Sequence, residues 1–131
     1  MKLLRRWLPV AVWSAVIFLF SSWETPPSPQ DTLLNFILKK TAHLIEYAVL
    51  YYLAYRAINR EVYETPPLTW KFRKLPNYIH PLIFTILYAI SDEIHQSFVS
   101  GRHGRTTDVL IDTAAALTIM FFFLRSSGKN S

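Results

Sequence analysis

The sequence predicts an all-α integral membrane protein, a bundle of four transmembrane helices that forms a single domain over residues 1–131. Three observations lead to this prediction. Four predominantly apolar stretches follow one another along the chain, polar or proline-containing segments separate them, and positive charge is concentrated in alternate connecting segments. With 51% apolar and 15% aromatic residues, a chain of this length has room for one such domain.

The first apolar span covers residues 7–23 and contains no charged side chain between its ends. As a helix it would be roughly 25 Å long, close to the thickness of a hydrocarbon core. Trp7 and Trp23 would then lie at the two membrane interfaces, where indole rings are favoured. The length and the flanking tryptophans therefore predict a transmembrane helix.

A secretory signal peptide is the alternative interpretation of this N-terminal segment. Signal peptides need small residues at the cleavage site, and Ser21 and Ser22 offer such a pair. Phe20 and Trp23 crowd that pair with bulky rings, so the cleavage pattern is poor. We therefore expect the segment to be retained as a span.

The second span is predicted at residues 33–57. Residues 24–30 contain three prolines and should not be helical, and Asp31-Thr32 then resembles a helix N-cap. Ionisable side chains lower the hydropathy of this span: Lys39, Lys40, His43 and Glu46. Hydropathy alone therefore supports the second span weakly.

Residues 59–80 are predicted to form a polar connector with three prolines. Within it, residues 70–74 mix aromatic and basic side chains, which suits either an anionic lipid surface or a solvated loop on the cytoplasmic side. The third span is predicted at residues 81–99, because proline is favoured at the first position of a helix. A glycine-containing loop at residues 100–105 leads to the fourth span at residues 107–124.

The distribution of positive charge predicts the orientation of the chain. Ten of the 14 lysine and arginine residues lie in the N-terminal segment, in or beside the central connector, or after the fourth span. The first outer loop contains Glu24 and Asp31 and no lysine or arginine. The positive-inside rule therefore predicts a multi-pass protein of the cell membrane with both termini in the cytoplasm. This distribution explains the net charge of +5 without nucleic acid as a partner.

Polar side chains of three spans are predicted to meet near the outer membrane surface. Charged groups inside a bilayer cost roughly 2.5–3.5 kcal/mol each, so they must face one another or a wet cavity. Helix periodicity and the predicted orientation give similar depths to Lys40, His43, Glu46 and Tyr47 on the second helix, Asp92, Glu93, His95 and Gln96 on the third, and Asp108 and Asp112 on the fourth. Arg102 and Arg105, in the following loop, would lie over the same place.

These residues resemble a known family. The strings Lys40-x-x-His43-x-x-Glu46-Tyr47, Asp92-Glu93-Ile94-His95-Gln96-x-Phe98-x-x-Gly101-Arg102 and Asp108-x-x-x-Asp112 are similar to those of the VanZ-like family, from about Ser21 to Leu117. The resemblance implies a small multi-helix membrane protein. It also implies a form of antibiotic resistance, namely lowered susceptibility to teicoplanin. Teicoplanin is a glycopeptide that binds cell-wall precursors. The resemblance defines no biochemical activity. Ala114-Ala115-Ala116 stands where the family commonly has a glycine, and should still allow close helix packing.

One interpretation of the polar side chains is a binding site for a membrane lipid or a lipid-linked cell-wall precursor. The planar guanidinium group suits phosphate geometry, so the loop arginines would hold an anionic head group. The expected ligand-binding residues are Lys40, Tyr47, Gln96, Arg102, Arg105, Asp108 and Asp112.

A second interpretation is a membrane-embedded enzyme that transfers or hydrolyses a group on a lipid head group. His95 or His43 would be the general base, oriented by a carboxylate. The hypothetical catalytic residues are His95, Glu93, Asp92, His43 and Glu46. No metal and no cofactor is predicted, because no string has a recognised metal-ligand spacing and the chain has no cysteine.

A third interpretation is structural. The carboxylates and histidines would then pair as polar contacts between helices, and Asp108 would be a helix N-cap. A transporter is a further class, but four helices without an inverted repeat would need to oligomerise.

Overall fold

The computed structural model describes residues 2–23, 33–64, 77–100 and 106–127, and these residues form four helices. They are α1 (Lys2–Ser21), α2 (Leu33–Glu64), α3 (Ile79–Gln96) and α4 (Thr106–Ser127). No strand occurs in these four segments, so the all-α prediction is confirmed for them. The predicted N-cap Asp31-Thr32, the proline-containing linker and residues 70–74 lie outside the described residues.

Two helices extend beyond the ends that the sequence predicted. α2 continues to Glu64, seven residues past position 57, so the connector begins later than expected. Polar residues in this stretch do not break a helix, and the first proline after the start of α2 is Pro66. α4 continues to Ser127, because Arg125 in the last turn suits the negative end of the helix dipole.

α3 begins earlier and ends earlier than predicted. It starts at Ile79, so Pro81 is its third residue. Proline is tolerated there because the first turn has no intrahelical acceptor for its missing N–H. After Gln96 the chain continues in turns, in which the Phe98 amide donates to the His95 carbonyl at 3.0 Å.

The helices run alternately up and down. The Trp13 indole of α1 donates to the Glu46 carbonyl of α2 at 2.9 Å, and Tyr88 of α3 donates through its hydroxyl to the Ser14 carbonyl of α1 at 2.6 Å. Within the described segments, α2 and α3 each contact every other helix, whereas α1 and α4 do not touch. α1 and α4 therefore each pack against the central pair α2 and α3.

Small residues allow this close packing. The side chains of Ala54, Ala89, Ala115 and Ala116 are buried, together with Ile17, Leu50 and the ring of Tyr51. The expectation that the alanine triplet of α4 permits close approach is thus confirmed for its last two members. At the opposite end from the polar residues, Tyr55 stacks on Phe123 with ring centroids 4.5 Å apart.

The exterior of the bundle is apolar. Leu19 of α1 is 66% exposed and Phe122 of α4 is 65% exposed, and large apolar side chains are also exposed on α2 and α3. Among the described residues, two helices are long and apolar enough to cross a membrane, within the windows Leu4–Ser21 and Thr106–Arg125, whose mean hydropathies are 1.3 and 1.7. A signal peptide would meet the same criterion as the first window, but α1 packs against α2 and α3. Four spans remain a prediction.

Candidate functional site

The carboxylate of Asp92 joins three helices. Its side chain is 3% exposed, and its Oδ2 atom accepts hydrogen bonds from three neighbours. The Ser21 hydroxyl of α1 donates at 2.8 Å, the Tyr47 hydroxyl of α2 at 3.1 Å and the Gln96 amide of α3 at 2.8 Å. The Gln96 amide also donates to the Ser21 hydroxyl at 3.3 Å. These four buried polar side chains form one hydrogen-bonded group, which we call the Asp92 cluster.

A second polar group joins α2 to α4. Lys40 donates to the Oδ1 atom of Asp108, and both side chains are partly exposed. One helical turn further along both helices, His43 Nδ1 lies 3.7 Å from Asp112 Oδ1. Asp112 is 1% exposed, and neither of its carboxylate oxygens accepts a hydrogen bond from the described residues. We call these residues the α2–α4 pairs.

Tyr47 lies between the two groups. Its hydroxyl belongs to the Asp92 cluster, and its ring stacks near that of His43 with centroids 6.3 Å apart. The contacts of Lys40, His43 and Tyr47 therefore confirm that the three side chains share one face of α2. Parallel α2 and α4 place successive turns side by side, which explains why Lys40 pairs with Asp108 and His43 with Asp112.

Asp108 is not the N-cap of α4. The helix begins at Thr106, so Asp108 is the third residue of the first turn. Its carboxylate contacts Lys40. A carboxylate in the first helical turn is also favoured by the helix dipole.

His95 contacts the end of α1. Its Nε2 atom lies 2.9 Å from the Ser22 hydroxyl oxygen, and its ring stacks on Phe18 with centroids 4.3 Å apart. The Ser22 hydroxyl also donates to the Phe18 carbonyl at 2.6 Å. While that hydroxyl proton points at the carbonyl, His95 must donate through Nε2; after rotation of the hydroxyl, a neutral Nε2 can accept.

A protein-family model matches this chain. The VanZ/LLP1 model matches residues 5–126, nearly the whole chain. The chain belongs to the VanZ/LLP1 family. The match extends past both ends of the motif region and includes most of α1, with Ser21 at its end, and the following Ser22, which both contact the site. No curated protein and no solved structure matched the chain in the other two comparisons.

Two glutamates of this VanZ/LLP1 chain belong to the same end of the bundle. Glu93 is buried beside Asp92, as expected for a residue of the site. Glu46 is partly buried, and its backbone carbonyl accepts the Trp13 hydrogen bond. Their catalytic roles remain predictions, as do those of the other site residues.

The arginines predicted to hold a ligand, Arg102 and Arg105, lie outside the described residues, as does the whole stretch 101–105. The described chain ends at residue 100 beyond α3 and resumes at the start of α4. Residue 100 and the start of α4 at Thr106 both lie at the same end of the bundle as Asp92 and Asp108.

Ser21 and Ser22 are the site residues that the sequence interpretation missed. It considered them only as a cleavage site, yet they bind Asp92 and His95. Two hydroxyl residues follow a mostly apolar stretch in the sequence, but nothing in that pattern indicates which residues of α3 they meet. In the segments that the structure describes, no three histidine, aspartate or glutamate side chains are arranged to hold a metal ion.

Proposed function

We propose that this VanZ/LLP1 chain is a four-span membrane protein with cytoplasmic termini, and that its polar site faces outward. The site binds, or acts on, an envelope lipid or a lipid-linked cell-wall precursor. The observation that carries the proposal is the meeting of polar side chains from all four helices at one end of a bundle with an apolar exterior.

The helix lengths support four spans. α1, α3 and α4 have 18 to 22 residues and are therefore about 27–33 Å long, which matches a hydrocarbon core. α2 has 32 residues, about 48 Å, and would extend into the cytoplasm. The up-and-down order and the positive charge at one end support the same orientation.

The chemistry of the site supports a ligand. A bundle held only by packing could use small and apolar residues at this depth, whereas each buried charge costs roughly 2.5–3.5 kcal/mol. The buried carboxylate of Asp112 has acceptor oxygens that can take hydrogen bonds from hydroxyl or amide groups, such as those of a sugar or peptide. Lys40 and the loop arginines Arg102 and Arg105 would hold an anionic part of the same molecule.

The test uses three substitutions at the site. We expect His95→Ala, Glu93→Gln and Arg102→Lys each to abolish the protein's effect on teicoplanin susceptibility, while the protein inserts and accumulates normally. Arg102→Lys keeps the charge and removes only the planar fork. Arg125→Lys makes the same change at the opposite end of the bundle and is the matched control.

The functional interpretation would be wrong if all three site variants kept full activity. It would also be wrong if they lost activity only in proportion to lost folded protein. In either case the polar groups would be contacts between helices and nothing more.

The alternative is a membrane-embedded enzyme that transfers or hydrolyses a group on a lipid head group. The contact of 2.9 Å between the Ser22 hydroxyl and His95 Nε2 favours it, because a neutral imidazole there can take the hydroxyl proton as the oxygen attacks a carbonyl or phosphoryl centre. The bond from that centre to its leaving alcohol breaks, and the imidazolium gives the proton to this alcohol. Water or an acceptor alcohol, deprotonated by the same imidazole, then takes the group from the serine. Ser22→Ala should then stop turnover of the lipid without preventing its binding. Ser91→Ala removes an exposed hydroxyl of α3 that donates to the Tyr88 carbonyl and is the control. Full activity of Ser22→Ala would exclude this route.

A further inference from the structure

A seam on the apolar exterior of the bundle, between α1 and α3, leads to the contact of Ser22 with His95. Two rows of side chains border it, and each row repeats at the helical spacing i, i+4, i+7 and i+11, which keeps its members on one face. The row at α1 is Ala11, Ala15, Phe18 and Ser22, and the row on α3 is Phe84, Tyr88, Ser91 and His95. We call the space between these rows the α1–α3 seam.

Contacts at two levels place the rows side by side. At one end, the Ser22 hydroxyl oxygen lies 2.9 Å from His95 Nε2. Further along, the Tyr88 hydroxyl donates to the Ser14 carbonyl at 2.6 Å. The partners are 73 residues apart in the first contact and 74 in the second, so α1 and α3 run in the same direction. Both rows therefore end at the Ser22–His95 contact.

The α1–α3 seam is open to the outside of the bundle. Phe18 is 47% exposed, and Ala11, Ala15 and Ser91 are exposed as well. Alanine has no atoms beyond Cβ, so a linear hydrocarbon chain can approach the backbone of α1 closely at these two positions. The seam can thus hold such a chain along α1.

The length of the seam matches one leaflet of a membrane. Ala11 and Ser22 are 11 residues apart, which corresponds to about 16 Å along the helix axis. Half of a hydrocarbon core is about 15 Å thick. In the proposed orientation, a lipid whose head group lies at Ser22 would therefore have its chain beside Ala11 near the middle of the membrane.

The polar contact at the end of the seam suits a lipid head group. His95 contacts Ser22 through Nε2, which leaves Nδ1 for a ligand. A neutral imidazole has one donor and one acceptor. If Nε2 donates to the Ser22 oxygen, Nδ1 can accept from a hydroxyl group of the ligand. If Nε2 accepts, Nδ1 can donate to a phosphate or ester oxygen.

We propose that the α1–α3 seam binds a hydrocarbon chain of a lipid from the outer leaflet, while the head group of that lipid contacts His95. The ligand then reaches the site sideways, as a membrane-anchored lipid, and does not enter from the aqueous phase as a soluble precursor. This inference rests on the proposed function and names the ligand class of the same site.

The experiment is photo-crosslinking of the full chain in phosphatidylcholine vesicles. The probe is phosphatidylglycerol with a diazirine group in the middle of one acyl chain, because its head group offers both phosphate oxygens and hydroxyl groups. Mass spectrometry of peptides then locates the labels. We expect labels to concentrate on the two rows of the α1–α3 seam, well above those on the exposed apolar side chains of α4.

Variants test the chain and the head group separately. Ala15→Trp fills the seam, so it should reduce labelling there to the level of α4 and abolish the effect on teicoplanin susceptibility. Ala114→Trp makes the same change at an exposed alanine of α4, at a similar distance from the outer end of its helix, and should change neither. His95→Leu removes one hydrogen bond to the head group and should weaken labelling roughly threefold.

Labels spread over α1, α3 and α4 in proportion to exposed area would overturn the inference. This result needs no variant, so it decides the matter even if Ala15→Trp fails to fold. The inference is also wrong if folded Ala15→Trp is labelled like wild type, or if it loses labelling and keeps its effect on susceptibility. Complete competition by water-soluble glycerol 3-phosphate would indicate a site for a free anion and would likewise overturn it.

Failure of this inference is distinguishable from failure of the proposed function. The proposed function depends on the variants of His95, Glu93 and Arg102 described above. If those variants lose activity and the seam is not labelled, the outward-facing site stands and its ligand does not occupy the α1–α3 seam.

Discussion

Asp92 provides the sharpest test of how the polar site is held together. Replacing it with leucine keeps a side chain of similar size and removes the acceptor of three hydrogen bonds. The Tyr47 hydroxyl, on a fully buried side chain, would then lose the acceptor it has in this structure. Ser21 and Gln96 would keep their mutual contact.

The expected loss of stability follows from these contacts. A buried hydroxyl left without a partner costs about 1–3 kcal/mol. The other two lost bonds should cost about 0.6 kcal/mol each, the average for side-chain hydrogen bonds inside membrane bundles. Because Asp92→Leu and Asp92→Asn both remove the buried charge, these losses should make the free energy of unfolding of Asp92→Leu about 2–4 kcal/mol lower than that of Asp92→Asn. Asp92→Asn keeps an acceptor oxygen and relieves the burial of a charge, so its effect should stay within about 1 kcal/mol.

The assay is equilibrium unfolding of the purified protein in mixed micelles with increasing SDS. Ser91→Ala is the matched control, because Ser91 is the preceding residue of α3, is exposed, and bonds only its own helix at the Tyr88 carbonyl. If Asp92→Leu and Asp92→Asn are both as stable as wild type, the Asp92 cluster does not join the helices and the reasoning fails. If Asp92→Asn is as damaging as Asp92→Leu, the charge itself is what the fold needs.

Two further predictions concern orientation and pairing. Reporter fusions at Lys129 should report the cytoplasm and fusions near Pro27 the outside; a C-terminus outside the cell would refute the four-span proposal. The variants Lys40→Asp and Asp108→Lys should each weaken the contact of α2 with α4, and the double exchange should recover about 0.2–1 kcal/mol of unfolding free energy, since the pair is partly exposed. No recovery in the double variant would show that the pair contributes nothing through its charges.

The faces of the helices could be predicted from sequence better than their ends. The spacing of Lys40, His43 and Tyr47 places three polar groups on one side of α2 whatever the helix length, because that depends only on helical periodicity. The sequence places the end of α2 too early, at residue 57, because the polar residues that follow suggest a connector, although polarity does not terminate a helix. A chain of charged and apolar residues can remain helical until a proline approaches.

Which polar residues meet depends on how neighbouring helices are aligned along their axes. The sequence predicts this alignment for some pairs of helices and not for others. α2 and α4 carry polar residues one turn apart, so their pairing follows from their parallel direction alone. α1 has apolar side chains on nearly every face, so nothing in its pattern indicates which residues meet α3. That is why the contacts of Ser21 and Ser22 with Asp92 and His95 could not be derived from the chain.

The two helices that miss the hydropathy criterion for a span are those that carry most of the polar site. α2 and α3 contain polar and charged residues that lower their mean hydropathy, including Lys40, His43, Asp92 and Glu93. The hydropathy criterion scores each of these as if it faced lipid, yet Lys40 contacts Asp108, and Asp92 accepts three hydrogen bonds within the bundle. Pairing of this kind offsets the cost of placing a charge at that depth. The low hydropathy of α2 and α3 therefore reflects the site they build, and it does not argue against the proposed spans.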